Sequence, residues 1–259
     1  MQALSGWAPG HIIGVLTDID DTLTTDGAIT PDALQALVDL KAAGLHVIPI
    51  TGRPVGWSEP FAQSWPVDAI VAENGAVALI HTPGEPLRKI HQQPELERKQ
   101  NFARMHNVAS RILREIPGTQ LAQDSAGRET DIAIDHSEFT HLDDTTIAQV
   151  VRILQSEGMT ATVSSIHINA WFGSHNKLEG ARWIVRQLLG RELDAELDQW
   201  VYVGDSTNDQ VMFAHFDNSI GVANIRRFEA QLQHQPRYIT PGERGIGFSE
   251  LARHILSMR

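Results

Sequence analysis

The sequence contains no cysteine, which excludes a disulfide framework, a thiol nucleophile and a thiolate metal site. It also has no apolar run near the ~20 residues that a membrane-spanning helix requires. Basic residues are scarce relative to acidic ones, because 21 Lys and Arg face 32 Asp and Glu and give a formal net charge of -11. This excess of acid disfavours binding to nucleic acid or to anionic lipid, and no local basic cluster offsets it.

The remaining composition is that of a folded globular chain. Hydrophobic residues account for 42% of the 259 positions and charged residues for 20%, so disorder and collagen-like repetition are excluded. The length exceeds what one ordinary core needs, which favours one large domain or a domain with an insertion. The first residues lack the basic and apolar segments of a secretory signal, so we expect a cytoplasmic protein.

The N-terminal part of the chain alternates strand-like and helix-like segments. Apolar runs at 12–16, 45–50 and 69–71 indicate buried strands, and a helical pattern lies between Pro31 and Gly44. The Asn74-Gly75 pair between two apolar runs predicts a hairpin. This alternation predicts an α/β fold with a parallel, Rossmann-like sheet.

A Pro- and Gly-rich cluster at 82–86 interrupts this rhythm and suggests a boundary. Beyond it, a long amphipathic helix ends near Ile116, and alternating segments at 131–135 and 164–172 predict a sheet with one solvent-exposed face. The first rhythm returns from Asn176 onward, so the middle block is expected to be an inserted α+β domain. The expected division into core, insertion and core is 1–82, 83–167 and 168–259.

Three aspartates stand at the end of the first predicted strand, in the segment Asp18-Ile19-Asp20-Asp21-Thr22. Open α/β sheets bind their ligands at the carboxyl ends of strands. Alternation would direct Asp18 and Asp20 to the same side, where two carboxylates repel each other unless a cation lies between them. A hard cation with oxygen ligands, such as Mg²⁺, meets this need, while a helix cap or a solvated turn is the alternative.

A second acidic loop, Gly204-Asp205-Ser206-Thr207-Asn208-Asp209, also follows an apolar strand directly. We expect it to open at the same edge of the same sheet, so that Asp205 shares one cation with the first loop. Asp209 lies one helical turn further on, within reach of the same centre. It would also suit a helix N-terminus without any cation.

Three further residues fit an anion. Thr51-Gly52 follows the second predicted strand and offers a hydroxyl and an unhindered backbone N–H to a phosphate oxygen, although such a pair also makes ordinary turns. Lys177 precedes a predicted helix, where a cation opposes the helix dipole. A residue placed against its local preference favours a functional role, and a solvent-facing lysine is the alternative.

Taken together, these segments resemble, in order, the four motifs of the haloacid dehalogenase-like hydrolase superfamily: Asp18-x-Asp20-x-Thr22, Thr51-Gly52, Lys177 and Gly204-Asp205-x-x-Asn208-Asp209. The insertion between the second and third motifs is similar to the type IIB (Cof-like, or C2B) cap. Sucrose-phosphate, trehalose-phosphate and mannosyl-3-phosphoglycerate phosphatases carry such caps. Asp21 departs from the pattern, because many relatives have glycine there.

The resemblance implies a role for each motif residue. Asp18 would attack phosphorus to form an aspartyl-phosphate, and Asp20 would act as general acid and base. Mg²⁺ would bind Asp18, the backbone carbonyl of Asp20 and Asp205. The implied phosphate ligands are Thr51, the Gly52 N–H and Lys177, and the implied supporting metal shell is Asn208 and Asp209.

Three other residues are candidates for contact with the substrate. Arg53 lies beside the predicted phosphate loop, where an anion contact and a structural ion pair are both consistent with the sequence. His167 and Asn169 occupy the polar face of a predicted strand in the insertion, where they would meet substrate hydroxyls or solvent. The neighbouring Trp171 and Phe172 are expected to pack in a core.

The function that follows from the resemblance is Mg²⁺-dependent hydrolysis of a small phosphorylated metabolite, with a sugar phosphate as the favoured class. The presence of Asp20 argues against haloalkanoate dehalogenases, which lack an acid/base aspartate at this place. Two alternatives stay open, a phosphotransferase similar to phosphomannomutases and a non-catalytic phospho-aspartate switch or binding protein. Transfer of the phosphoryl group to a sugar instead of water would indicate the phosphotransferase. A persistent phospho-aspartate would indicate the switch or binding protein.

Overall fold

The computed structural model describes all 259 residues and contains 15 strands and seven helices, numbered here β1–β15 and α1–α7 along the chain. None of the helices combines the length and the hydrophobicity needed to cross a membrane. The main sheet is entirely parallel, which confirms the predicted α/β class. Its order is β1 (Gln2–Ala3), β15 (Tyr238–Ile239), β14 (Ser219–Gly221), β13 (Trp200–Gly204), β2 (Gly14–Thr17) and β5 (His46–Pro49).

Side chains of the main sheet alternate between two buried cores. Val15 and Val201 pack into one core, and Leu16 and Tyr202 pack into the other. Since both faces are covered, these strands appear in the sequence as continuous apolar runs. The flanking helices are α1 (Pro31–Ala42), α2 (Val55–Ser64), α5 (Lys177–Leu189), α6 (Gln210–His215) and α7 (Arg244–Ser257).

Two small antiparallel sheets extend this unit. The hairpin of β3 (Thr24–Thr25) and β4 (Ala28–Ile29) follows the first acidic motif, and a bridge between Ile50 and Val71 attaches a three-stranded sheet to the main one. The predicted hairpin at Asn74-Gly75 is confirmed, since the strands on either side of it pair in antiparallel fashion. The three strands are β6 (Ile70–Ala72), β7 (Val77–Ile80) and β8 (Arg88–His91).

The turn at Glu73–Gly75 packs against the start of α5. Glu73, Asn74 and Gly75 have φ values of 50, 55 and 110°. A Cβ at Gly75 would lie 2.3 Å from the carbonyl oxygen of Asn176, so only glycine fits this approach. The turn therefore fixes the position of the residue that precedes Lys177.

A separate antiparallel sheet forms the inserted α+β unit, as expected. Its order is β11 (Thr160–Val163), β12 (His167–Trp171), β10 (Ile132–Asp135) and β9 (Gln120–Leu121), and it packs with α3 (Glu95–Glu115) and α4 (Asp144–Ser156). Trp171 and Phe172 are buried in the third core, which confirms that they are packing residues.

The expectation of a solvent-exposed face on this smaller sheet is wrong. His167 and Asn169 are only 2% and 1% exposed. Both side chains hydrogen-bond with buried or half-buried groups, and Asn169 reaches the carbonyl oxygen of Gly52 after β5. The polar face of the insertion therefore lies over the carboxyl edge of the main sheet, which the alternating pattern alone could not reveal.

The pairing of β8 and β12 bears on where the insertion begins and ends. β8 pairs with β7 of the main unit, although the sequence placed it after the expected boundary at 83. β12 pairs with β10 from His167 to Ala170, although most of this strand follows the expected boundary at 167. We therefore propose that the insertion comprises residues 92–174.

Candidate active site

Asp18 lies at the carboxyl end of β2, which runs between β13 and β5 in the main sheet. Its N–H donates to the carbonyl of Val203 on the neighbouring strand at 2.9 Å, which holds the first residue of the loop against β13. Its side chain is almost fully buried, and its Oδ1 accepts a hydrogen bond from Lys177 Nζ at 2.6 Å. The two predicted motifs, far apart in sequence, are therefore in direct contact.

Lys177 is the first residue of α5 and is 1% exposed, so the alternative of a solvent-facing lysine is wrong. Asn176 caps the helix by accepting from the N–H groups of the next turn. Lys177 Nζ also donates to Asp209 Oδ1 at 2.7 Å. Burial acts to lower the pKa of Lys177, but Asp18 and Asp209 outweigh it and raise that pKa, so the ammonium form is favoured.

Asp209 is held by hydrogen bonds on both carboxylate oxygens. Its Oδ2 accepts from the N–H groups of Asp205 and Ser206 at 2.9 and 3.1 Å, which gives a reciprocal capping box with Ser206. Its Oδ1 accepts from Lys177 and from the hydroxyl of Tyr202. Asp209 is therefore placed to position the loop and the lysine, and the helix-terminus alternative describes part of its role.

Asp205 has one oxygen that no group of the protein satisfies. Its Oδ2 accepts from Asn224 Nδ2 at 2.9 Å, while its Oδ1 is buried without a hydrogen-bond partner. Asp18, Asp205 and Asp209 each place one carboxylate oxygen within 4.8 Å of the others. A buried carboxylate oxygen without a partner, in a residue that lies close to two further carboxylates, is the environment expected of a cation ligand.

Electrostatics support the same interpretation. Burial, followed by the charges of Asp18 and Asp209, raises the pKa of Asp205 well above its usual range. Burial also raises the pKa of Asp18 to about 7, even though Lys177 acts to lower it. Lys177 contributes one positive charge against the three carboxylates of the cluster, and the hard oxygen donors fit a divalent cation such as Mg²⁺.

Asp20 and Arg53 form an ion pair beside Asp18. Arg53 Nε lies 2.9 and 3.0 Å from the two carboxylate oxygens of Asp20. The same guanidinium group contacts Asp124 at 3.1 Å and Glu138 at 2.9 Å, both from the insertion. Arg53 therefore bridges the core and the insertion. Of the two roles that the sequence left open for it, an anion contact and a structural ion pair, its contacts in this structure are those of the ion pair.

The Thr51-Gly52 loop follows β5 and faces the same edge. Thr51 is fully buried, and its Oγ1 accepts from the N–H of Arg53 at 3.0 Å. The N–H of Gly52 donates to no other group of the chain, so it is free to bind an anion. Gly52, Asp18, Asp20 and Asn208 line one small cavity of about 10 Å³, which also reaches residues of the insertion.

The predicted substrate contacts of the insertion lie on the other side of this small cavity. His167 Nε2 is 2.8 Å from Glu138 Oε2, and Asn169 Nδ2 is 3.3 Å from the Gly52 carbonyl oxygen. Hydrogen bonds from His167 and Arg53 outweigh the effect of burial and lower the pKa of Glu138 to about 2. Glu138 is therefore an anion that links two of the predicted substrate residues.

A larger cavity of about 620 Å³ opens beside Asp20 and Asp205. Asp21, the residue that departs from the motif pattern, lines this cavity. It forms an ion pair with Arg244, whose Nε lies 3.1 Å from Asp21 Oδ1. Glu138 and Phe139 line the cavity from the insertion. The space is large enough for a small organic group next to the carboxylate cluster.

Several residues of the site were not predicted by the sequence analysis. Asn224 follows β14 closely and contacts Asp205, so the strand-end argument that identified the two acidic loops could have identified it as well. Asp124, Arg128 and Glu138 belong to loops of the insertion, and no spacing in the sequence connects them to the core. Their position depends on how the insertion packs on the main sheet.

Sequence comparisons with known proteins find similarity to hydrolases and phosphatases. A model of the haloacid dehalogenase-like hydrolase family matches residues 15–116, which include the first two motifs. A candidate phosphatase of Streptococcus pyogenes serotype M6 is 52% identical over 42 residues. The matching segment covers 16% of this chain and 16% of that protein.

Solved structures match the fold over nearly the whole chain. Protein 0175 of Thermoplasma acidophilum has a TM-score of 0.71 and 16% identity, covering 96% of this chain and 100% of that one. The sucrose-phosphatase of Synechocystis sp. PCC6803, solved with sucrose and phosphate, has a TM-score of 0.64 and 15% identity, with 95% and 98% covered. A subclass IIB sugar phosphatase of the same superfamily has a TM-score of 0.63 and 15% identity, with 95% and 99% covered.

Proposed function

We propose that the chain belongs to the haloacid dehalogenase-like hydrolase family and hydrolyses the phosphate monoester of a small metabolite through an aspartyl-phosphate. Residues 15–116 match a model of that family, and the four motifs of the chain resemble those of the family. The observation that carries this proposal is the contact of Asp18 with Lys177 beside the unpartnered oxygen of Asp205. The proposed nucleophile, the buried ammonium group and the proposed metal ligand thus lie together at one edge of the sheet.

Asp18 is the proposed nucleophile. One of its carboxylate oxygens attacks phosphorus, a new O–P bond forms, and the bond between phosphorus and the leaving oxygen breaks. Asp20 gives its proton to the leaving oxygen, so that the product departs as an alcohol. Asp20 then takes a proton from water, which attacks the phosphoryl group, releases phosphate and restores the carboxylate of Asp18.

The charge of the phosphoryl group is met by fixed donors. The free N–H of Gly52, the hydroxyl of Thr51 and the ammonium group of Lys177 are the proposed partners of its oxygens. Asp209 and Asn208 hold Lys177 in place, at 2.7 and 3.5 Å from its Nζ. These two residues act by positioning the cation and need not contact the substrate.

We further propose that Asp18, Asp205 and the backbone carbonyl of Asp20 hold Mg²⁺. When bound, the ion would supply the positive charge that the three carboxylates and the incoming phosphate dianion require beyond that of Lys177. The buried, unpartnered Oδ1 of Asp205 supports this assignment.

The favoured substrate class is the sugar phosphates. The cavity beside Asp20 is lined mostly by polar and charged groups, which suit a leaving group with several hydroxyls. The test measures phosphate release from sugar phosphates, nucleotides and an aryl phosphate, with Mg²⁺ or EDTA. The highest kcat/KM for a sugar phosphate supports the class, whereas a nucleotide preference contradicts it, and isomerised sugar phosphate without free phosphate indicates a phosphotransferase.

A further inference from the structure

The phosphate-binding loop is held from two directions. The core fixes its flanks, because Asn74 N–H donates to the Thr51 carbonyl at 2.9 Å and Glu73 N–H donates to the Arg53 carbonyl at 3.0 Å. The residue between them, Gly52, receives no such bond from the core. Glycine has the widest conformational freedom of all residues, so its orientation depends on whatever binds its carbonyl oxygen.

Two buried side chains of the insertion bind that oxygen. Arg128 Nη1 donates to the Gly52 carbonyl at 3.0 Å, and Asn169 Nδ2 donates to it at 3.3 Å. The two residues are 5% and 1% exposed. A Cβ at Gly52 would lie 3.1 Å from Asn169 Oδ1, so the loop and the insertion are in close contact here.

The two donors are themselves fixed by one carboxylate. Asp131 is fully buried, and its oxygens accept from Arg128 Nη1 at 2.8 Å and from Asn169 Nδ2 at 3.3 Å. Asp124 holds the other end of the Arg128 guanidinium at 3.2 Å. Arg128 Nε is buried without a partner, but both Nη atoms of Arg128 and the Nδ2 of Asn169 are held by hydrogen bonds. The network therefore couples the position of the insertion to Gly52.

These contacts also argue against a direct role in substrate binding. Asn169 Nδ2 already donates to Gly52 and to Asp131, so both of its N–H groups are used. Arg128 Nη1 likewise divides its two N–H groups between the same two partners. Neither group has a donor left at these atoms for a phosphate oxygen or a sugar hydroxyl.

We propose that Arg128 and Asn169 are positioning residues that orient the Gly52 peptide for phosphate binding, so that docking of the insertion completes the phosphate site. This inference rests on the proposed function and extends it. It assigns to the insertion a part in binding the phosphoryl group that every substrate shares, in addition to any contact with the leaving group.

The test uses inorganic phosphate, which has no leaving group, titrated into the full-length protein with Mg²⁺ and followed by calorimetry. The variants are Asn169→Ala and Arg128→Lys, where lysine keeps the charge beside Asp131 but cannot reach all three partners of the guanidinium. Lys89→Gln is the matched control, because Lys89 joins the core to Glu129, the neighbour of Arg128, without touching the loop. Thermal unfolding of each variant monitors the fold.

We expect both variants to bind phosphate roughly tenfold more weakly, since the loss of a hydrogen bond to a charged group costs about 10- to 100-fold in affinity and misorientation costs part of that. The control should change affinity by less than about twofold. For an aryl phosphate, KM should rise and kcat should fall in both variants.

Phosphate affinity equal to wild type in folded Asn169→Ala would overturn the inference, even if the variant is less stable or discriminates poorly between sugar phosphates. If Arg128→Lys does not fold, Asn169→Ala decides alone. Wild-type protein that binds no phosphate would overturn the proposed function and this inference with it. Weaker binding in the two variants alone, with the control unchanged, is the result that supports it.

Discussion

Asp205→Asn is predicted to stabilise the metal-free protein while abolishing its activity. The reason is that Asp205 places a carboxylate oxygen within 4.8 Å of those of Asp18 and Asp209, and Lys177 offsets only part of this charge. Asparagine keeps the shape and can still accept the hydrogen bond from Asn224. It removes the charge that a cation would otherwise have to compensate.

The expected gain follows from the distance. Two unit charges at 4.8 Å repel each other by about 3 kcal/mol at an effective dielectric constant of about 20. We therefore expect the free energy of unfolding in EDTA to rise by about 2–3 kcal/mol. Because the pKa of Asp205 is raised in the folded state, its cost grows as the pH rises, so the gain is larger at pH 8 than at pH 5.

The assay is urea unfolding with EDTA or with Mg²⁺, at both pH values. Mg²⁺ should stabilise the wild type by binding the folded state, and should stabilise Asp205→Asn much less. Asp198→Asn is the matched control, since this aspartate is exposed and its side chain contacts none of the three clustered carboxylates. It should change the free energy of unfolding by no more than about 0.5 kcal/mol. A variant that is no more stable in EDTA, or that gains as much from Mg²⁺ as the wild type, would refute the reasoning.

Two further predictions concern stability and the docking of the insertion. Burial lowers the pKa of His175 from 6.5 to about 4. The folded state therefore becomes less stable as the pH falls below 6.5, because the unfolded chain binds a proton that the buried imidazole does not. The free energy of unfolding should be lower by about 2 kcal/mol at pH 5. His175→Phe should flatten this part of the pH profile in urea unfolding, and an unchanged profile contradicts the assignment. Arg53→Met leaves Asp124 and Glu138 without their shared cation, so the insertion should dock less firmly. Solution scattering should then give a larger radius of gyration than for the wild type, and equal radii would count against the bridge.

The core of the site could be predicted because its residues follow strands whose faces are both buried. Asp18, Thr51 and Asp205 each come at the end of a continuous apolar run, and parallel strands bring such ends to one edge. Asn224, three residues after the end of β14, obeys the same rule, although its amide lacks the charge that drew attention to the two acidic loops. The class of fold follows from the same runs.

The packing of the insertion could not be predicted from its sequence. Alternation correctly separates His167 and Asn169 from their apolar neighbours, but a polar face is expected to meet solvent unless another polar surface covers it. Here the carboxyl edge of the main sheet covers it. The contacts of Arg53 and Arg128 depend on this docking, and local sequence patterns carry no information about it.

The most direct test of the central claim is phosphate release by wild type and Asp18→Asn, with Mg²⁺ or EDTA, on the best substrate of the panel. The amide can still accept a hydrogen bond from Lys177, so the fold should persist, but it is a poor nucleophile. The account predicts Mg²⁺-dependent turnover in the wild type and a loss of roughly a thousandfold or more in the variant. Turnover that survives in Asp18→Asn, once deamidation is excluded by mass spectrometry, would contradict it.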